Sequence, residues 1–140
     1  MRKNLQVSDL GDLLDLPLNA VLATHLANGD ILLSPIWHEW QDGGFNLIIG
    51  ANDIKHRSLQ GNPRASISVF ETSDLNRGLE VRGKAKLGTD NDHAVLRRIA
   101  LRYVGPEQVD AYLQTLKDAE LVLVRLEPGK LRAWDFADEI

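Results

Sequence analysis

The chain has 140 residues, 44% of them apolar and 26% charged, with a net charge of −4. This suits one globular domain over residues 1–140, too short for two, and the acidic balance argues against non-specific nucleic-acid binding. Cysteine is absent, which excludes disulfides, thiol nucleophiles and thiolate metal sites. No apolar run approaches the ~20 residues of a membrane span, and the basic start Met1-Arg2-Lys3-Asn4 precedes no apolar signal segment, so a cytoplasmic location is expected.

In chain order, Ser8 can cap a short helix through Asp15, with Leu10, Leu13 and Leu14 on one face and Pro17 ending it. Ala20 to Leu26 reads as a strand, Ala27-Asn28-Gly29-Asp30 as a hairpin turn, and Ile31 to Trp40 as a second strand. That second strand tolerates Pro35 only at an edge or a bulge. Gln41-Asp42-Gly43-Gly44 turns the chain into a third strand, Phe45 to Ile49. Asn52 or Asp53 then caps a short helix that carries Lys55 and Arg57 in its first turn and stops at Asn62-Pro63. In the next strand Ala65, Ile67 and Val69 alternate with Ser66, Ser68 and Phe70.

The clearest half-buried strand follows, with Leu79, Val81, Gly83, Ala85 and Leu87 alternating with Glu80, Arg82, Lys84 and Lys86. Gly83 inside it marks a close backbone approach or a barrel bend. Asp90 begins a helix to about Tyr103, with Val95, Leu96, Ile99, Ala100 and Tyr103 as its apolar stripe. Gly105-Pro106 breaks it, and a second helix presents Val109, Tyr112, Leu113 and Leu116 at helical spacing. Leu121 to Leu126, the Pro128-Gly129 turn and Leu131 to Phe136 complete the chain as two strands and their link. Short strands joined mainly by tight turns imply a mostly antiparallel barrel, and turns this short exclude most parallel crossovers.

Little of the usual catalytic machinery is present. The four histidines, His25, His38, His56 and His93, form no ligand pair at helical spacing, although His25 and His38 lie on neighbouring strands. No metal site is assigned. Ser34 lacks a nucleophile-elbow context and an evident base, and neither a phosphate-binding loop nor a dinucleotide fingerprint occurs. Orphan N–H groups at the start of the short helix attract anions, and Lys55 adds a full charge there. The same basic residues equally suit an ordinary solvated helix face. Trp37 and Trp40 likewise suit either a pocket or a core or subunit interface.

Taken in order, Val21-Leu22-Ala23-Thr24-His25, the Asn28-Gly29 turn, Ser34-Pro35-Ile36-Trp37, the run from Lys55 through Arg57 to Asn62-Pro63-Arg64, and Leu79-Glu80-Val81-Arg82-Gly83-Lys84-Ala85 resemble one family. It is the pyridoxamine-phosphate-oxidase-like split-barrel family, including its branch that uses the deazaflavin coenzyme F-420. The resemblance implies a mainly β (α+β) fold, a split β-barrel of about six to seven mostly antiparallel strands with flanking helices. It implies a homodimer with its pocket between subunits, and an oxidoreductase moving hydride between FMN or coenzyme F-420 and a small-molecule substrate. By the same resemblance Ser34, Pro35, Ile36 and Trp37 contact the ring, and Lys55 and Arg57 hold phosphate in a cradle with Gly50 and Asn52. Arg132 and Trp134 resemble C-terminal residues that reach the pocket in some relatives.

Asp53 departs from the family pattern, because a carboxylate repels phosphate unless it turns away to cap the helix. Oxidation of pyridoxamine phosphate itself is disfavoured, since no C-terminal basic run is present to hold a second phosphate. The alternative is a non-catalytic protein that stores flavin or holds haem on the same barrel, with His25 or His38 as axial ligand.

Overall fold

Eight strands and three α-helices make up the computed structural model, which describes residues 2, 4–73 and 76–136. The strands are β1 (Ala20–His25), β2 (Ile31–Ile36), β3 (Glu39–Gln41), β4 (Gly44–Gly50), β5 (Arg64–Phe70), β6 (Arg77–Gly88), β7 (Leu121–Leu126) and β8 (Lys130–Asp135). Helix α1 (Ile54–Gly61) links β4 to β5, and the pair α2 (Ala94–Val104) and α3 (Val109–Thr115) links β6 to β7. All strand pairs are antiparallel, in the order β2-β1-β5-β6-β7-β4-β3, with β8 added beside β6. The two ends of that order, β2 and β3, are separated in sequence only by Trp37 and His38. So short a link draws the two edges together, and the sheet curls into the expected split barrel.

Alternation sets which side chains enter the barrel. Leu22 and Thr24 of β1, Ile67 and Val69 of β5, and Leu79 and Val81 of β6 point inward and are buried. Phe45, Leu47, Val124 and Leu126 complete this core from β4 and β7. Arg77, buried at the start of β6, pairs with Glu71 at 2.6 Å and donates to the Leu10 carbonyl at 2.6 Å. The N-terminal segment is thereby fastened to the sheet. Among the described residues, no helix is long and apolar enough to cross a membrane.

Three boundaries differ from the sequence expectation. The strand expected over Ile31–Trp40 breaks after Ile36, because alternation fails there: Ile36, His38 and Glu39 are all buried. The helix expected from Ser8 to Asp15 is instead two 3-10 turns, Val7–Leu10 and Leu13–Asp15, divided at Gly11 with φ +59. Asp9, not Ser8, makes the local cap, accepting the Gln6 N–H at 2.8 Å. Asp90 does cap α2, accepting from the N–H groups of Val95 and Leu96 at 2.9 Å each. The helix proper starts only at Ala94, because Asp92 and His93 take φ of 58° and 54°.

Gly83 stands where β6 changes partners. Residues Arg77–Arg82 pair with β8 and Ala85–Gly88 with β7, so the link from β7 to β8 must cross β6 between them. A Cβ on Gly83 would collide with the Glu127 carbonyl oxygen of that link, and the Gly129 N–H bonds the Arg82 carbonyl at 2.8 Å. Only glycine lets the two backbones pass. Gly83→Val is expected to destabilise the fold by roughly 1–3 kcal/mol or more through overpacking against backbone; urea unfolding of the variant beside the parent measures it, and an unchanged midpoint would contradict the crossing as described.

Candidate functional site

The Trp37–His38 link is held from outside by α2. Tyr103 Oη accepts the His38 N–H at 3.2 Å and donates to the Leu18 carbonyl at 2.7 Å. Arg102 donates to the carbonyls of His38, Leu14 and Leu16 at 2.6, 2.9 and 3.0 Å. The Trp37 ring lies on Tyr103 with centroids 4.7 Å apart and planes within 4°, and Tyr112 of α3 meets it at 5.4 Å. Glu39, next along the chain and buried, receives Asn46 Nδ2 at 2.9 Å and Arg98 Nη2 at 2.8 Å. Burial alone would raise the Glu39 pKa, but the bonds from Arg98 and Asn46 outweigh it and hold the carboxyl below its ordinary value.

Against this corner opens a cavity of about 530 Å³, within the size range of small-molecule sites, roughly 300–1,000 Å³. Pro35, Ile36 and Trp37 form one side, and Ile48, Ile49 and Gly50 of β4 another. Leu96 and Ile99 of α2, with Tyr112 and Leu116 at α3, cover it. Lys55 and Asp53 stand at the start of α1 and, among the described residues, are the only charged side chains lining it. Asp53 uses its two oxygens differently: Oδ1 caps α1 through the Ile54 N–H at 2.7 Å, and Oδ2 faces Lys55 Nζ at 3.1 Å. The Lys55 bond and then the backbone cap lower the Asp53 pKa, so the carboxylate is ionised at neutral pH.

Of the residues expected at the site, Pro35, Ile36, Trp37, Gly50 and Lys55 converge on this cavity. Ser34 points into the barrel and is buried, so its side chain does not line the cavity. Asn52 takes a left-handed φ of 64° and donates its N–H to His56 Nδ1 at 2.9 Å; Arg57 is exposed on the first turn of α1. Neither lines the cavity. Arg132 and Trp134 lie on the barrel's outer face: Trp134 covers Gly78, its direct partner across β6–β8, and Arg132 stacks on it at 4.8 Å while pairing with Glu80 at 2.7 Å. The helical contribution, Leu96, Ile99, Tyr112 and Leu116, was readable only as apolar stripes. Periodicity shows that such a stripe is covered, not that what it faces is a cavity.

The geometry defines a split barrel with a ligand-sized cavity beside the joined edge strands, cationic and anionic at one end and apolar along its length. Residues 10–135 match the family described as pyridoxamine 5'-phosphate oxidase, and the chain belongs to that family. A conserved hypothetical protein from Mycobacterium tuberculosis is similar at 25% identity over 94% of this chain and 85% of its own, with a TM-score of 0.79. An F420 reductase is similar at 25% identity, covering 86% of this chain and 93% of its own, with a TM-score of 0.68. The heme storage protein HutZ from Vibrio cholerae shares the fold at 22% identity, over 89% and 92% of the two chains, with a TM-score of 0.68. No curated protein sequence matches significantly.

His38 adds a titratable group in the barrel wall behind Trp37. Its ring is fully buried, edge-on to Phe45 and Tyr103, and among the described residues neither ring nitrogen finds a hydrogen-bond partner of good geometry. Burial first, and the Arg102 charge second, push its pKa down to about 4; the Leu18 carbonyl, already taken by Tyr103, compensates only weakly. Since the folded-state value lies below the unfolded 6.5, its contribution is intact above pH 6.5 and is lost as pH falls towards 4. Over that window the parent should lose about 3 kcal/mol of stability. The carboxylates held low by arginines, Glu39, Glu71 and Glu80, begin to add their losses as pH falls to the unfolded value of 4.5, at the lower edge of that window. Unfolding measured from pH 7.5 to 4.5 checks this, and His38→Phe should flatten the slope.

Proposed function

We propose that this protein is a cytoplasmic homodimeric oxidoreductase that moves hydride between bound FMN or coenzyme F-420 and a small-molecule substrate. The observation that carries the reading is the cavity itself, a long apolar and aromatic wall with one lysine at its end. That donor set suits a planar ring system tethered to a phosphate. When bound, the cofactor supplies the hydride chemistry, and the protein's tasks are binding, orientation and exclusion of water. Lys55 would hold the phosphate, and Gly50 keeps the approach open, since a Cβ there would meet nothing closer than Asp53 at 3.8 Å. Pro35, Ile36 and Trp37 would lie along the ring, with Trp37 kept in place by its stack on Tyr103. Arg57 would add positive charge from the exposed side of the same helical turn.

A homodimer accounts for the outer face of β1 and β2. Ile31 and Leu33 are 51% and 65% exposed there, beside Val21 and Ala23. Such a patch is usually covered. Arg132 and Trp134 share that side of the sheet, so their part in a cofactor site would be played across the subunit boundary. Light scattering at micromolar concentration should give twice the chain mass; the mass of one chain would overturn the dimer.

Haem storage on the same barrel is supported less well. His38 is fully enclosed, and His25 lines a shallow groove on the outer face rather than the cavity.

Lys55 gives the direct test. Lys55→Ala removes a charge-assisted bond worth about 1.5–3 kcal/mol, so affinity for FMN and for coenzyme F-420 should fall roughly ten- to a hundred-fold. Titration of the apo-protein with each cofactor measures this, and unchanged affinity for both would remove Lys55 from the site.

A further inference from the structure

We propose that Asp53 is a charge filter, which makes the Lys55–Asp53 end of this cavity select a singly charged phosphodiester over a doubly charged phosphomonoester. Given the reading of the cavity as a flavin or deazaflavin site, on which this inference rests, the preferred ligand is coenzyme F-420 rather than FMN. The two cofactors differ in this respect. FMN ends in a phosphomonoester, whose second ionisation near pH 6 gives it close to two charges at pH 7.5. In the deazaflavin coenzyme the phosphate is a diester with one charge, and its carboxylates sit on a tail further along the molecule.

Charge balance at the mouth of α1 sets the preference. Among the described residues, Lys55 and Asp53 are the only charged ones lining the cavity, and at 3.1 Å they neutralise each other. Removing an anion from water costs more than in proportion to its charge. A wall with no formal charge therefore compensates a single charge poorly and a second one worse. Asp53 cannot simply swing away, because Oδ1 is bound to the Ile54 N–H at 2.7 Å as the cap of α1 while Oδ2 faces Lys55. The cap and the filter are one side chain. Arg57 adds to the positive field around Asp53, but it is exposed and outside the cavity lining, where solvent screens it.

Asp53→Asn keeps a good helix cap and deletes the charge. Lys55 then faces the ligand alone, and because Coulomb attraction scales with ligand charge, the gain for a dianion is about the square of the gain for a monoanion. The apo-protein and the variant are each titrated with FMN and with coenzyme F-420 at pH 7.5. The parent should bind coenzyme F-420 more tightly than FMN, and the variant should bind both better, by roughly threefold for coenzyme F-420 and roughly tenfold for FMN. Asp53→Ser, also a capping residue without charge, should reproduce the change in ratio, which separates charge from any local rearrangement. Equal factors for the two ligands, or no change for either, would overturn the filter while leaving the cavity's reading intact. Binding of neither ligand by any form would overturn both.

Discussion

Everything at the candidate site depends on how two residues join the ends of a curled sheet. β2 and β3 terminate the strand order, yet only Trp37 and His38 separate them in the chain. A link that short cannot satisfy its own backbone groups by sheet pairing, so α2 does so from outside: Tyr103 takes the His38 N–H, and Arg102 takes the carbonyl. The two side chains then part company. His38 fills the barrel, and Trp37 turns out onto Tyr103 and becomes the wall of a cavity. Barrel closure, placement of the helices and the ring-sized cleft beneath them thus follow from one corner.

The corner also makes the site stiff where it is apolar and adjustable where it is charged. Trp37 stacks on Tyr103 and meets Tyr112, and the neighbouring Glu39 is tied to Arg98 and Asn46. Lys55 and Asp53, by contrast, are partly exposed at 23% and 41%, and Lys55 can turn from Asp53 to solvent or ligand while Asp53 stays tied to the Ile54 N–H. Preorganised apolar walls with a polar end that rearranges are the expected pattern where orientation comes from shape and discrimination from charge.

Much of this was legible in the sequence, for reasons that particular residues make plain. The runs Ala65–Phe70 of β5 and Leu79–Lys86 of β6 alternate because one face is core and the other is not, so Ile67 and Val81 announce their direction. Gly83 was readable as a close backbone approach or a barrel bend, because a glycine weakens so regular a strand, and the structure shows the close approach. The break after Ile36 was not, since Pro35 through Trp40 is apolar or bulky on both parities and looks continuous as a strand. What lies opposite a helical stripe was hidden as well, and so was the use of Trp134 to cover Gly78, a pairing that only register reveals. The double role of Asp53 as cap and as lining residue is a matter of which oxygen points where. Sequence shows that a carboxylate is there, and only coordinates show that it serves both neighbours.

If the cavity bounded by Trp37, Gly50 and the α2–α3 pair takes the ring and phosphate of one cofactor, a crystal structure of the protein saturated with coenzyme F-420, or with FMN, tests it most directly. The planar ring should lie along Pro35, Ile36 and Trp37, with a phosphate oxygen within hydrogen-bond distance of Lys55 Nζ. A cofactor found only on the outer face of β1 and β2, with the cavity filled by solvent and Lys55 still bound to Asp53, would contradict it.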